Sequence, residues 1–274
     1  MRYTHHVNTP GTGYLRSYGA ALRGGRLTRH IHVIGIGAGD PDYVTAQAVA
    51  ALNDTQVFFA SDKGESKSDL VGLRKLVCDR FIEHSDYRFV ELPDPKRAKD
   101  GDYRQAVAEW HEARADLWAE ALRTELADGG TGAFLAWGDP SLYDSTLRIL
   151  DLVAARIDIE YDVIPGITAI QALTARHRIP LNDIGEPVLI TTGRRLRTDG
   201  LSGAAVVMLD GDCSFLTCPP ETRIWWGAYL GTPDELLATG TVGEMGERIM
   251  QQRNEARAQH GWIMDIYLLR GAGA

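Results

Sequence analysis

Ile31-His32-Val33-Ile34-Gly35-Ile36-Gly37-Ala38-Gly39-Asp40-Pro41 constrains the fold more than any other stretch of the chain. A β-branched run feeds a loop with glycine at alternate positions, and the loop closes on Asp-Pro. Glycine lets backbone approach a ligand or another chain segment, and proline suits the first helical turn. Asp40 stands at the N-cap position. The stretch therefore reads as strand, loop and helix start, with a ligand expected at the loop's mouth. A dinucleotide fingerprint would need a third glycine where Asp40 stands, and a carboxylate there would repel a pyrophosphate. A tight turn without a ligand is the plain structural alternative.

The same rhythm recurs. Strands are expected at Gln56–Ala60, Arg88–Leu92, Gly132–Trp137 and Ile159–Ile164, with helices at Tyr43–Leu52, Leu70–Phe81 and Tyr103–Ala127. Two further strand ends carry distinctive loops, Gly138-Asp139-Pro140-Ser141-Leu142-Tyr143 and Pro165-Gly166-Ile167-Thr168-Ala169. Asp139 is expected to cap a helix through Val153, and the second loop to open a helix through His177. In an open parallel sheet such ends share one edge, where ligands bind. Ile179–Pro187 breaks the pattern. Beyond it, strands at Val188–Thr192, Ala204–Leu209, Thr222–Tyr229 and Trp262–Leu269, with a helix over Val242–His260, describe a smaller mixed unit. The expected fold is α/β: an N-terminal parallel sheet flanked by helices (30–180), a linker (181–187) and a C-terminal α/β unit (188–274), with the active site between them. Residues 1–29 contain no acid and read as an extension outside the fold.

The formal net charge of −8 argues against nucleic acid or an anionic membrane as the main partner. No apolar run approaches the roughly 18 residues needed to span a bilayer. Cys78, Cys213 and Cys218 lack partners at metal spacing, so no metal site is expected, and three thiols suit a reducing, cytoplasmic setting.

The three loops, in this order and spacing, resemble those of the tetrapyrrole (corrin and porphyrin) methyltransferases over about residues 30–274. One departure is Ala38, where that family usually has proline. Asp62-Lys63-Gly64-Glu65-Ser66-Lys67-Ser68-Asp69-Leu70, Trp225–Thr232 and Gly261–Asp265 look like the branch that methylates C1 of precorrin-5 with loss of acetate. The resemblance implies S-adenosylmethionine as donor, a precorrin as substrate, precorrin-6A as product and a homodimer. It sets Ala38, Trp137, Gly138, Asp139, Leu142, Thr168, Ala169, Leu209 and Gly231 around the donor, and turns Gly37 and Asp40 toward the tetrapyrrole.

Deacetylation asks for a base to activate water and a donor to hold an oxyanion. Asp62, Lys63 and Tyr143 are the candidates, against a reading of Asp62 and Lys63 as helix-capping, solvated groups. A polycarboxylate substrate on an acidic protein needs local cations. Arg194, Arg195 and Arg197, on the loop after Val188–Thr192, are expected to face Lys67 and Arg74 for that purpose. A solvated surface is the plain alternative. Methylation at another tetrapyrrole carbon, donor binding without catalysis, and a nicotinamide-dependent reductase remain the competing functions.

Overall fold

In the computed structural model, residues 28–61, 68–95 and 102–271 are described; Asp62, Lys63 and Lys67 lie outside them, as does nearly all of the 1–29 extension. β1 (Arg29–Gly35), β2 (Val57–Ser61), β3 (Arg88–Leu92), β4 (Gly130–Ala136) and β5 (Ile159–Ile164) form one parallel sheet in the order β3-β2-β4-β1-β5. Alternate side chains of β1 explain its two covered faces. Ile31 and Val33 pack with Trp118, Leu122 and Ile149 from α3 (Tyr103–Glu125) and α4 (Thr146–Ala154). Ile34 packs instead with Ala48, Leu52 and Val77 from α1 (Ala46–Asp54) and α2 (Ser68–Phe81). A strand buried on both faces is the expected state for a parallel sheet.

The chain leaves β1 toward β2 and leaves β4 toward β5, in opposite directions from adjacent strands. Such a switch point opens a crevice at the carboxyl edge. Asp40 caps only a short 3-10 turn, Pro41–Tyr43, by accepting from the Asp42 N–H at 2.9 Å. The full helix α1 begins later, behind the Thr45 cap. Asp139 does not cap α4, which is preceded by Ser145 and starts at Thr146. Six residues separate Asp139 from that helix, too far for a side chain of its length.

The second sheet has the order β6-β7-β10-β8-β9, built from β6 (Val188–Thr192), β7 (Ala204–Met208), β8 (Arg223–Ala228), β9 (Leu236–Thr241) and β10 (Asp265–Arg270). β6 and β7 are parallel, and the other pairings are antiparallel. The short edge strand β9, with its Thr-Gly-Thr end, carries too little apolar patterning to be legible beforehand. α5 (Ala169–His177) packs Ile170 and Leu173 against Val206, Trp225 and Leu268, joining the two sheets. The opposite face of the second sheet buries Trp226 and Tyr267 with Ile249 of α7 (Val242–His260). The adjacent tryptophans of β8 thus serve cores on opposite faces. α6 (Gly193–Asp199), capped by Thr192, occupies the stretch expected to be a loop. The three arginines therefore ride on a helix; the hydroxyl of Thr192 satisfies its first turn.

Cys78 and Cys213 are buried free thiols and Cys218 is half-buried. Burial pushes the Cys78 thiol up to about 12, which makes it unreactive at neutral pH. Among the described residues, no helix is long and apolar enough to cross a membrane.

Candidate active site

The turns after β1, β4 and β5 meet at one place. Gly37 and Gly138 form an antiparallel bridge: the Gly138 N–H donates to the Gly37 carbonyl at 2.8 Å, and Gly37 returns a bond at 3.3 Å. Asp139 joins the third turn, accepting from the Gly166 N–H at 2.9 Å and from the Ser141 N–H at 2.8 Å. Burial pushes the Asp139 carboxyl up, but the Ser141 and Gly166 donors outweigh it and hold it below the usual range. Asp139 is thus the tie between two turns. Thr168 caps α5 through a reciprocal box with Gln171, and a Cβ at Gly138 would come 3.7 Å from the Thr168 Cα. Leu142 and Ala169 flank the same interlobe cluster, and Trp137, the residue before Gly138, is half-buried.

The second sheet closes this edge. A Cβ on Gly39 would lie 2.1 Å from the Leu230 carbonyl oxygen, and one on Gly231 would lie 2.5 Å from the Asp40 nitrogen. Both positions need glycine because backbone crosses backbone there. Glu235 fixes this corner by accepting from the Gly231 N–H at 2.8 Å and from Arg176 Nε at 2.6 Å. Ala38 is only 3% exposed and packs against Leu230, so its backbone is what the loop can present.

Leu209 has φ +52° and holds its side chain 67% exposed. An apolar side chain outward on left-handed backbone costs on the order of 1 kcal/mol and persists only where neighbours impose it. The buried Asp210 does so. It accepts from the Ser214 N–H at 2.6 Å, the Tyr267 hydroxyl at 2.6 Å and the Asp212 N–H at 3.1 Å. Arg253 hydrogen-bonds the Asp210 carbonyl and, through Nε at 3.0 Å, Asp265.

The expected cationic residues divide between the two sheets. Arg74, on α2, donates to the Leu135 carbonyl at 3.3 Å and shares a cavity with Tyr143. On α6, Arg195 pairs with Asp199 at 3.2 Å, and Arg197 reaches Asp212 and the Ser214 hydroxyl at 2.8 Å each. Arg194 is exposed on the same helix. Arg197 is therefore part of the Asp210 corner rather than a solvated charge. Residues not expected from the sequence are Glu235, Asp210, Arg253 and Arg114. Arg114 had a signal: Trp110 and Trp118 stand four residues to either side on a helix, which stacks all three on one face.

A family model for Tetrapyrrole (Corrin/Porphyrin) Methylases matches residues 30–246. A precorrin-6A synthase [deacetylating] of Sinorhizobium sp is 50% identical over 248 residues, 88% of this chain and 95% of the relative. The crystal structure of a cobalamin synthesis related protein (CobF) from Corynebacterium diphtheriae superimposes with a TM-score of 0.76 at 42% identity, covering 89% of this chain and 98% of that one. The fold also matches uroporphyrin-III C-methyl transferase from Thermus thermophilus complexed with S-adenyl homocysteine, TM-score 0.58 at 16% identity, over 88% of this chain and 97% of that one. The crevice, the two-sheet fold and these matches lead to one identification: the chain belongs to the tetrapyrrole (corrin/porphyrin) methylases.

Proposed function

We propose that the chain is an S-adenosylmethionine-dependent C-methyltransferase of cobalamin biosynthesis, converting precorrin-5 to precorrin-6A by methylating C1 with release of the C1 acetyl group as acetate. The observation that carries this reading is the half-identity to the Sinorhizobium precorrin-6A synthase across nearly its whole length. The glycine crevice supports the donor's place, since close-packed turns present backbone N–H and C=O groups where a nucleoside needs them.

In this reading Trp137, Gly138, Asp139 and Leu142 line the amino-acid and ribose side of the donor. Thr168 and Ala169 lie beneath it, Leu209 and Gly231 contact the adenosine, and Ala38 touches the donor from the first loop. The bound donor supplies an electrophilic methyl group. The turns hold it within about 3–3.5 Å of the attacking carbon, where alignment alone removes much of the barrier. Gly37 and Asp40 face the macrocycle. Water adds to the acetyl carbonyl, its proton passing to a base, and acetate leaves. The electron pair left at C1, conjugated into the ring, then takes the methyl. Asp62 is the proposed base, Lys63 and Tyr143 the proposed oxyanion donors, and Lys67, Arg74, Arg194, Arg195 and Arg197 the proposed carboxylate partners.

The chain acts, in the same reading, as a homodimer in the cytoplasm. Leu189 and Ile190, exposed on edge strand β6, support a second copy, and sedimentation at micromolar concentration checks it. Incubation with precorrin-5 and methyl-labelled donor tests the activity: one labelled methyl gained and one acetate released per turnover are expected, and neither product contradicts it.

A further inference from the structure

His30 and His32 stand one residue apart on β1, and Asp162 stands beside them on β5. We propose that these three side chains bind one divalent transition-metal ion of the zinc class, with Asp54 holding the ring of His32 from behind. The site lies away from the crevice and is independent of the precorrin-5 reading.

Strand geometry gathers the ligands. Ile31 and Val33 pack toward α3 and α4, which leaves His30 and His32 on the opposite face with Ile34. In the parallel register His32 is opposite Asp162, so the carboxylate comes to that same face. His32 Nδ1 is 2.6 Å from Asp162 Oδ1, and His30 Nε2 is 3.4 Å from the same oxygen. The two imidazoles meet edge to face with centroids 4.8 Å apart. One donor atom from each of the three residues lies within 4.8 Å of the others. A tetrahedral ion with bonds of about 2.0–2.2 Å sets its ligands roughly 3.3–3.5 Å apart. The His30–Asp162 spacing already fits, and the His32–Asp162 pair has to open by less than about 1 Å.

Burial decides which side chains adjust. The side chain of His32 is 4% exposed, whereas those of His30 and Asp162 are 21% and 37% exposed. The ligands that move are thus the two at the solvent side, where the ion enters and water takes the fourth position. His32 is fixed by its other nitrogen: Nε2 lies 3.1 Å from Oδ2 of Asp54, the last residue of α1. A metal-bound imidazole characteristically donates its remaining N–H to a carboxylate, which sets the tautomer and raises the ring's basicity. Asp54 occupies that place. Coordination needs no idle side chain here. It exchanges the contacts between histidine and aspartate for bonds to the ion, and the proton between His32 Nδ1 and Asp162 passes to solvent. Two imidazoles with one carboxylate favour zinc and its transition-metal neighbours over magnesium and calcium, which prefer oxygen ligands.

The position points to a structural role. His32 precedes Gly35 by three residues, about 10 Å along the strand, so the ion touches neither donor nor macrocycle. It staples β1 to edge strand β5, and Asp54 adds α1, beneath the turns that both strands carry. The cysteine spacing points to no metal, and the His-x-His pair gains its carboxylates from positions 22 and 130 residues beyond His32.

The test strips the full chain with EDTA and titrates it at neutral pH with zinc by calorimetry, and with cobalt(II) as a visible-absorption probe. One saturable equivalent is expected, with the intense bands of four-coordinate cobalt, and zinc raises the thermal midpoint because it binds the folded chain. His30→Gln leaves both bonds of His32 in place, and an unchanged metal-free midpoint certifies its folding. Its zinc affinity is expected to fall by about a hundredfold or more, beyond the loss usual for an outer partner. Asp54→Asn keeps all three ligands and should bind about 10–100-fold more weakly while retaining the cobalt spectrum. Absence of saturable zinc binding to the folded wild type overturns the proposal. Equal affinity in His30→Gln also overturns it, by placing the ion elsewhere on the chain. Displacement of the zinc by a modest excess of magnesium contradicts the choice of ion.

Discussion

Gly166 and Gly138 lie so close that a Cβ added to Gly166 would sit 2.0 Å from the Gly138 carbonyl oxygen. The same atom would come 2.9 Å from the Gly35 backbone, so one methyl group on the third strand-end turn would collide with both of the others. Gly166→Ala is expected to cost about 1–3 kcal/mol, as overpacking does, and to weaken S-adenosylmethionine binding at least tenfold. Urea unfolding and calorimetry read the two effects; an alanine variant with unaltered donor affinity would show the packing of these turns to be irrelevant to the ligand.

Asp139 links the second and third turns through charge-assisted bonds to Ser141 and Gly166. Asp139→Asn keeps the size but replaces the accepting carboxylate with an amide. About 1.5–3 kcal/mol per charged hydrogen bond is the usual scale, so donor affinity should fall tenfold or more with little change in the far-ultraviolet circular dichroism. Unchanged affinity would remove Asp139 from the donor site.

His32, buried in the middle of β1, is held between two acids, Asp162 Oδ1 at 2.6 Å from Nδ1 and Asp54 Oδ2 at 3.1 Å from Nε2. Burial works against its charge, but the bonds to Asp162 and Asp54 prevail and raise it above its usual value. Burial likewise pushes Asp162 up, and His30 and His32 overcome it, holding the carboxyl far below the carboxylate range. The imidazolium's contribution is therefore complete below about pH 6.5 and fades as pH rises through the raised value. The carboxylate's contribution is complete above about pH 3.9 and fades as pH falls. The stability gap between wild type and Asp162→Asn should be widest between roughly pH 4 and 6.5. Denaturant titrations from pH 3 to 9 check this, and a gap independent of pH would contradict it.

Arg253 and Asp265, each with a side chain 5% exposed, form an ion pair below the Leu209 turn. Trp226 Nε1 adds a bond to Asp265 at 2.9 Å. Burial pushes the Asp265 carboxyl up despite this pairing. Arg253→Met leaves that acid without its cation and should cost about 3–5 kcal/mol. The double variant Arg253→Met, Asp265→Leu should recover part of that loss, since an apolar pair of similar size needs no desolvation. A double variant no more stable than Arg253→Met alone would mean that the value of Arg253 lies in the bonds it donates to the Asp210 and Gly211 carbonyls.

Much of the crevice was legible because its chemistry is local. Gly35–Pro41, Gly138–Tyr143 and Pro165–Ala169 carry their turn signals in consecutive residues, and α7 runs from Val242 to His260, the expected span. What was not legible depends on distant partners. Asp139 reads locally as a helix cap, but Gly166, twenty-seven residues away, takes its second oxygen. The arginines of α6 follow a strand and carry no apolar stripe, so only the Thr192 cap and the Asp210 corner reveal a helix there. Arg114 shares a helix face with Trp110 and Trp118 in the sequence, but only the fold brings Arg74 of α2 to the same cavity.

The most direct test of the central claim is one turnover assay of the purified chain with precorrin-5 and methyl-¹³C S-adenosylmethionine, resolved by mass spectrometry and carbon NMR. The account predicts a single labelled methyl at C1 and an equimolar amount of free acetate. A labelled methyl at another ring carbon, with the acetyl group retained, would contradict it.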